Sequence, residues 1–308
     1  MKVGEDLNSL ENNKFFDSKL DTIDQLISCV CPFNHELIDF YAPLARTNHV
    51  VIGSVFNLPE NIPILFFSAV LETSDLFVMD IFFNENCDFR FVDQLDLGIR
   101  DCLAVVLKMT KGKVRQLLIE SNLISAKLET LIIAAGMKFI TNFVSLSGDV
   151  HHMSEKLFCE KNFELQSFND FLKEDLLELF ELSSKNSLDC PEGLKLRNAF
   201  NVFESMRNHS YFDHHSSQVV LCGKFKVGLI VVLKNLAQGE IAYVGIIEGF
   251  RSRGLGKILI SNATKILFSN NVKFLTVMVD EKNYPAMKLY LGFGMVPEKI
   301  SKLFLMEG

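Results

Sequence analysis

An echo at an offset of 158 positions runs through this 308-residue chain and limits its fold more than any single motif does. Val114-Arg-Gln-Leu-Leu-Ile-Glu resembles Val272-Lys-Phe-Leu-Thr-Val-Met. Each is followed by a helix-like stretch and then by a Gly-Met pair, Gly136-Met137 and Gly294-Met295. The offset is constant, with no gap. A strand, a helix and a turn repeated in one register point to a duplicated domain. The length agrees, because a chain of this size suits two domains of about 150 residues each.

In the second half, residues 163–168 read as a strand, and leucines at helical spacing over 170–184 as an amphipathic helix. Residues 185–194 read as a loop and 197–208 as a second helix. β-rich runs follow at 218–222, 225–233 and 240–247, separated by turns. A glycine-containing loop, a helix over 255–268, a strand over 272–280, a helix over 284–291 and a strand near 300–306 complete the half. The order βααβββαβαβ predicts an α/β fold with a mixed sheet and helices on both faces. In the first half, helices are expected at 19–29 and 37–44, and strands at 50–56, 64–70 and 76–82. A polar connector around 148–155 sets the expected boundary between domains 1–155 and 156–308.

Composition narrows the partners. Hydrophobic residues make up 48% and charged residues 22%, so each half can bury a core. A net charge of −7 argues against a nucleic-acid binder, which needs a basic surface, and is compatible with a cationic acceptor. The seven cysteines are odd in number and scattered, so reduced structural thiols are expected rather than a disulfide framework. The apolar runs at 63–71 and 131–140 are too short to span a bilayer. The polar, acidic N-terminus is not a signal peptide. No membrane association and a cytoplasmic location are the expectations.

The chemistry concentrates in Arg251-Ser252-Arg253-Gly254-Leu255-Gly256-Lys257, between a β run and a helix. Glycines there let backbone N–H groups converge, and the following helix opens with unpaired donors and the positive end of its dipole. Such a site binds phosphate, and Arg251, Arg253 and Lys257 add positive charge at its rim. A tight turn with solvated basic residues would have the same composition. Neither a Walker motif nor a dinucleotide-binding glycine fingerprint is present.

The longer context resolves this. Tyr243-Val-Gly-Ile-Ile-Glu-Gly-Phe-Arg-Ser-Arg-Gly-Leu-Gly-Lys-Ile-Leu-Ile resembles motif A of the GNAT N-acetyltransferases, a strand leading into [QR]-x-x-G-x-[GA]. Asn283-Tyr-Pro-Ala-Met-Lys-Leu-Tyr290, followed by Gly294-Met295, resembles motif B, N-x-x-A-x-x-L-Y followed by G-F. Three positions depart from the pattern. Glu248 replaces the usual proline, Met295 follows the last glycine, and Gly292-Phe293 lies just ahead of it.

The resemblance implies two tandem GNAT-like domains of the acyl-CoA N-acyltransferase fold, the second catalytic. It implies acetyl-CoA as co-substrate, no metal, and a primary amine acceptor on a small molecule, peptide or protein. The loop amides from Arg251 to Lys257 would hold the pyrophosphate, with Asn283 among the cofactor contacts. A backbone N–H at or next to Ile246, with Ile247 beside it, would polarise the thioester carbonyl. Tyr290 would serve as general acid and Glu240, 11 residues before Arg251, as possible base. A packed aromatic and a solvated turn glutamate are the structural alternatives for these two. His209, His214 and His215 with Asp213 form a polar stretch, secondary as acceptor contacts.

Carrying the offset back maps Arg251, Gly254 and Gly256 onto Asp93, Asp96 and Gly98, and Tyr290 onto Ile132. Carboxylates repel a pyrophosphate and isoleucine donates no proton. The first domain is therefore expected to be degenerate, without a cofactor site. Two other functions stay open. One is a non-catalytic acyl-CoA sensor or interaction module. The other is an aminoacyl-tRNA-dependent ligase, which the acidic charge and intact loop disfavour.

Overall fold

The computed structural model describes residues 14–17, 21, 42, 45, 50–57, 62–73, 76–83, 96–156, 163–196 and 198–308. The backbone divides into two units, Met1–Ile140 with Lys302–Gly308, and Thr141–Ser301.

The first unit contains strands β1 (Lys14–Asp17), β2 (Val50–Asn57), β3 (Ile62–Leu71) and β4 (Leu76–Phe83). Helix α1 (Asp96–Met109), strand β5 (Val114–Glu120) and helix α2 (Ala126–Ala134) follow. The strands run in the order β1-β2-β3-β4-β5, antiparallel until the parallel β4–β5 pair. On α1, Ile99, Leu103 and Val106 recur at helical spacing and join Phe67, Phe77, Leu117, Ile132 and Phe304 in one core. The strands expected in this half are all present. The helices expected at 19–29 and 37–44 lie outside the described residues, save isolated positions.

The second unit contains most of β6 (Lys138–Asp149), then the short helix α3 (Val150–Ser154) and β7 (Phe163–Ser167). Helices α4 (Lys173–Ser184), α5 (Pro191–Leu196) and α6 (Ala199–Arg207) precede strands β8 (Gln218–Cys222), β9 (Phe225–Lys234) and β10 (Gln238–Ile246). Helix α7 (Leu255–Ser269), β11 (Phe274–Asp280), helix α8 (Tyr284–Gly292) and β12 (Val296–Met306) end the chain. The order here is β6-β11-β10-β9-β8-β7, with β10–β11 parallel and its other pairs antiparallel. Leu259, Ala263 and Leu267 of α7 pack with Ile241, Leu275 and Tyr290 on one side of this sheet. Phe180 of α4 and Phe203 of α6 pack with Val219, Leu229 and Val231 on the other.

Two expectations are corrected. The chain passes between units at residues 140 and 141 rather than near 155, and residues 302–308 belong to the first unit. The stretch around 148–155 is not a connector. Strand β6 runs through Gly148, where a Cβ would fall 2.7 Å from Met153 Sδ and 2.9 Å from Met295 Cγ. Asp149 then caps α3 by accepting from the His152 amide at 3.1 Å. Second, part of the loop expected at 185–194 is helix α5. Pro191 sits at its first position, where the missing N–H costs nothing.

The duplication is visible element by element. Helices α2 and α8 begin at Ala126 and Tyr284 and end at Ala134 and Gly292, each pair at the 158 offset. Ser125 caps the first by accepting from Leu128 N, and Asn283 caps the second by accepting from Ala286 N. Gly136 and Gly294 follow with φ of 101° and 87°, a left-handed turn that favours glycine. In both units the parallel pair is short. Leu76–Met79 face Val114–Leu117, and Gln238–Ile241 face Phe274–Val277.

Candidate functional site

Strands β10 and β11 separate where their pairing stops. A bulge between Ile241 and Tyr243 redirects β10 while its pairing with β9 continues to Ile246. The Ile247 amide donates to Val227 O at 3.0 Å, so N–H groups at alternate positions point to β9. Those of Val244 and Ile246 consequently face the side that β11 has left. The result is a wedge lined by backbone donors.

At the end of β10 the chain turns through Glu248–Phe250 into the loop ahead of α7. Ser252 has φ of 62° and Gly254, the N-cap of α7, has φ of 80°. Gly254 supplies no side-chain cap. Among the described residues, the amides of Ser252, Arg253, Gly254, Leu255 and Gly256 have no acceptor, while the Lys257 amide bonds back to Gly254 O at 2.9 Å. Five unpartnered donors at a helix N-terminus suit a diphosphate. Gly256 matters for packing as well, since a Cβ there would lie 3.1 Å from Leu289 Cδ2 on α8.

The basic residues of this loop have distinct placements. Arg251 faces inward. Its Nε donates to Ile246 O at 2.9 Å, Nη1 to Asn186 O at 2.9 Å, and Nη2 to Ser183 O at 3.0 Å and Lys185 O at 2.6 Å. Arg253 is exposed, donates to Gly249 O at 3.1 Å and stands over the Phe250 ring. Lys257 is exposed on the first turn of α7.

Tyr290 of α8 is buried, and its hydroxyl has no hydrogen-bond partner among the described residues. Burial, then the negative charge of Asp189, pushes its pKa above the usual phenol value. A second phenol went unrecognised in the sequence. Tyr243 lies along β10 because Gly245 has no Cβ, which would fall at 2.2 Å from the Tyr243 oxygen. Its hydroxyl pairs with Ser183 Oγ at 2.8 Å, and burial pushes its pKa up to about 12. Tyr-x-Gly was the available signal.

Asp189 also went unrecognised. Its Oδ1 accepts the amide of Asp280, the last residue of β11, at 3.0 Å. In return the Cys190 amide donates to Asp280 Oδ2 at 3.1 Å. Asn283, expected as a cofactor contact, is occupied in capping α8 and in bonding Asp189. Desolvation raises the Asp189 pKa, and the Asp280 amide and Asn283 only partly offset this.

Glu240 is exposed on the paired part of β10, opposite Leu233 and Thr276. Along the strand it lies about 13 Å before the Val244 amide. The polar stretch before β8 is dispersed. Asp213 pairs with Lys234 at 3.2 Å and accepts from Ser216, His209 Nδ1 accepts from the Tyr211 amide, and His214 packs on Phe212. Among the described residues, only Asp149, His151 and His152 bring three potential metal ligands within 4.8 Å, all exposed. Among the described residues, Cys102 and Cys190 are buried and Cys222 is half-buried, none of them in a disulfide. No helix of the described residues is long and apolar enough to cross a membrane.

A wedge between parallel strands, closed at one end and followed by an uncapped glycine turn into a helix, defines the acyl-CoA N-acyltransferase fold. The family model of the GNAT acetyltransferases matches residues 184–295. Among solved structures the chain is similar to a GCN5-related N-acetyltransferase from Sphaerobacter thermophilus. That match has a TM-score of 0.64 and 13% identity, and covers 88% of this chain and 84% of that one. It is also similar to a tandem GNAT protein from the clavulanic acid biosynthesis pathway, with a TM-score of 0.60, 12% identity and coverage of 96% and 98%. A GCN5-related N-acetyltransferase from Kribbella flavida follows at 0.54 and 11%, covering 79% and 87%. At these identities the likeness concerns the fold alone. No curated protein matches the chain. Family and fold together support acyl transfer as the class of activity.

Proposed function

We propose that the second unit transfers an acetyl group from acetyl-CoA to a primary amine. The observation that carries this is the set of five unpartnered amides from Ser252 to Gly256, at the mouth of α7 and beside the wedge. They would hold the pyrophosphate, with Arg253 and Lys257 contributing charge. Arg251 acts differently from a phosphate ligand, bracing the loop from behind through four carbonyls.

Bound acetyl-CoA supplies an activated acyl group. The wedge-facing amides of Val244 and Ile246 orient the acyl carbonyl and stabilise negative charge on its oxygen, a role worth about 3 kcal/mol where one such donor has been removed. Tyr290 donates a proton from its hydroxyl to the departing sulfur. Its raised pKa keeps it protonated at neutral pH, and no internal partner competes for that proton. Sequence spacing suggests Glu240 as base, but it is exposed on the paired part of β10, outside the wedge.

The first unit, in this reading, keeps the architecture without the chemistry. Ile132 occupies the position of Tyr290 and is buried in that unit's core. Asp96 opens α1, where the second unit has its glycine turn. Asp93 lies outside the described residues.

Calorimetry of the full chain with acetyl-CoA, followed by thiol release with a panel of primary amines, tests the proposal. Binding with turnover supports it. Binding with no turnover for any amine favours the sensor, and no binding removes both.

A further inference from the structure

We infer that Asp189, in the loop between α4 and α5, receives the ammonium group of the acceptor and takes its proton. This rests on the transferase reading above. The carboxylate stands at the open end of β11, fixed by the Asp280 amide at 3.0 Å and by Asn283, the cap of the helix that carries Tyr290. Its charge reaches both Tyr243 of β10 and Tyr290 of α8. It is half-buried and has no cationic partner among the described residues.

A carboxylate withdrawn from water without a counter-ion carries a free-energy cost that a bound cation relieves. The other charged and titratable groups facing it do not supply that cation. Asp280 is buried and already accepts from Thr141 Oγ1 at 2.7 Å, Lys282 N at 2.9 Å and Cys190 N at 3.1 Å. Tyr243 and Tyr290 are neutral donors. Arg251 spends its fork on the carbonyls of Ile246, Ser183, Lys185 and Asn186.

That last arrangement fixes the start of the same loop, and the Cys190–Asp280 bond fixes its end. Cys190 is held there with φ of 45°, a conformation that needs such support. An ammonium that gives one proton to an Asp189 oxygen becomes a neutral amine with a free lone pair, and the carboxyl group becomes neutral. Solvent then recovers the proton. The acceptor class is thus a primary amine that arrives as a cation, and Glu240 is left outside the wedge.

The test uses the full chain. Carboxyl-detected NMR should show Asp189 titrating above the ordinary aspartate range, with its resonance moved by propylammonium chloride and not by sodium chloride at equal ionic strength. Titration at the ordinary value with no response to propylammonium overturns the inference, whatever the turnover data show. With the amine most readily turned over, Asp189→Asn should lower kcat/KM by about 100-fold or more and abolish the acidic limb of its pH profile. Asp189→Glu should restore part of both, and Glu240→Gln should keep the acidic limb. An acidic limb that survives in Asp189→Asn, or disappears in Glu240→Gln, overturns the inference as well. Acetyl-CoA affinity by calorimetry separates the two failures. Loss of binding in the wild type defeats the transferase reading, whereas intact binding in every variant with an unchanged Asp189→Asn profile defeats only the assignment of the base.

Discussion

The Arg251 side chain donates from Nε to the carbonyl of Ile246 at 2.9 Å, so the guanidinium of the phosphate loop faces its own strand. With the carbonyls of Ser183, Lys185 and Asn186 it ties the end of α4 to the end of β10. Arg251→Lys is expected to lose most of this, because an ammonium cannot present a planar fork. Urea denaturation should show destabilisation of about 2 kcal/mol for either Lys or Ala. Acceptor KM should rise more than the Kd for acetyl-CoA, and an effect confined to acetyl-CoA binding would return Arg251 to the role of phosphate ligand.

Gly254 gives a second test. At φ of 80° it caps α7 without a side chain. Gly254→Glu brings a carboxylate to the donor cluster and should weaken acetyl-CoA binding by about 100-fold or more. Gly254→Asn tolerates the left-handed conformation and adds no charge, so its affinity should stay within about tenfold of wild type. Equal losses in the two variants would attribute the effect to backbone strain.

For Tyr290→Phe, kcat should fall about 100-fold while the Kd for acetyl-CoA is retained. The hydroxyl has no partner among the described residues, so thermal denaturation should show an unchanged or higher Tm. A drop in Tm with full activity would make Tyr290 a packing residue.

Acid stability should depend on Asp213. Burial pushes its pKa up, but the Ser216 hydroxyl and Lys234, with the Ser216 amide, outweigh this and leave it below the ordinary 3.8. A carboxyl lowered in the folded state stabilises above 3.8, and that stabilisation is lost as pH falls through the folded value. Asp213→Asn should therefore lower the urea midpoint at pH 7 and narrow its difference from wild type near pH 3. A constant difference at both pH values would exclude the linkage.

Much of the second unit was legible because its signals are local. The leucine spacing of α4, the β runs from 218 to 246 and the glycine turn before α7 all lie within a few residues of the structure they specify. The exact recurrence of α2 in α8 was legible for a different reason: Ser125 and Asn283 cap their helices at the same offset as the strands before them. What escaped was non-local. Asp189 becomes distinctive only when folding brings it to Asp280, 91 positions away. Arg251 looked like a phosphate ligand because composition does not reveal that four carbonyls converge on it. Asn283 matched its motif, yet the motif says nothing of its bond to Asp189. Helix α5 was hidden by Pro191-Glu-Gly, whose residues suit a turn as well as a first helical turn.

Residues 302–308 lie in the first unit, where Phe304 joins the core that holds Met79 and Ile132. During synthesis, domains generally fold in the order in which they emerge from the ribosome. Here the earlier-made half must wait for residues 302–308 before its core is filled, whereas Thr141–Ser301 has all its residues beforehand. Order of translation and order of completion are therefore reversed, and a nascent chain stalled before Phe304 would expose an unfinished apolar surface to chaperones.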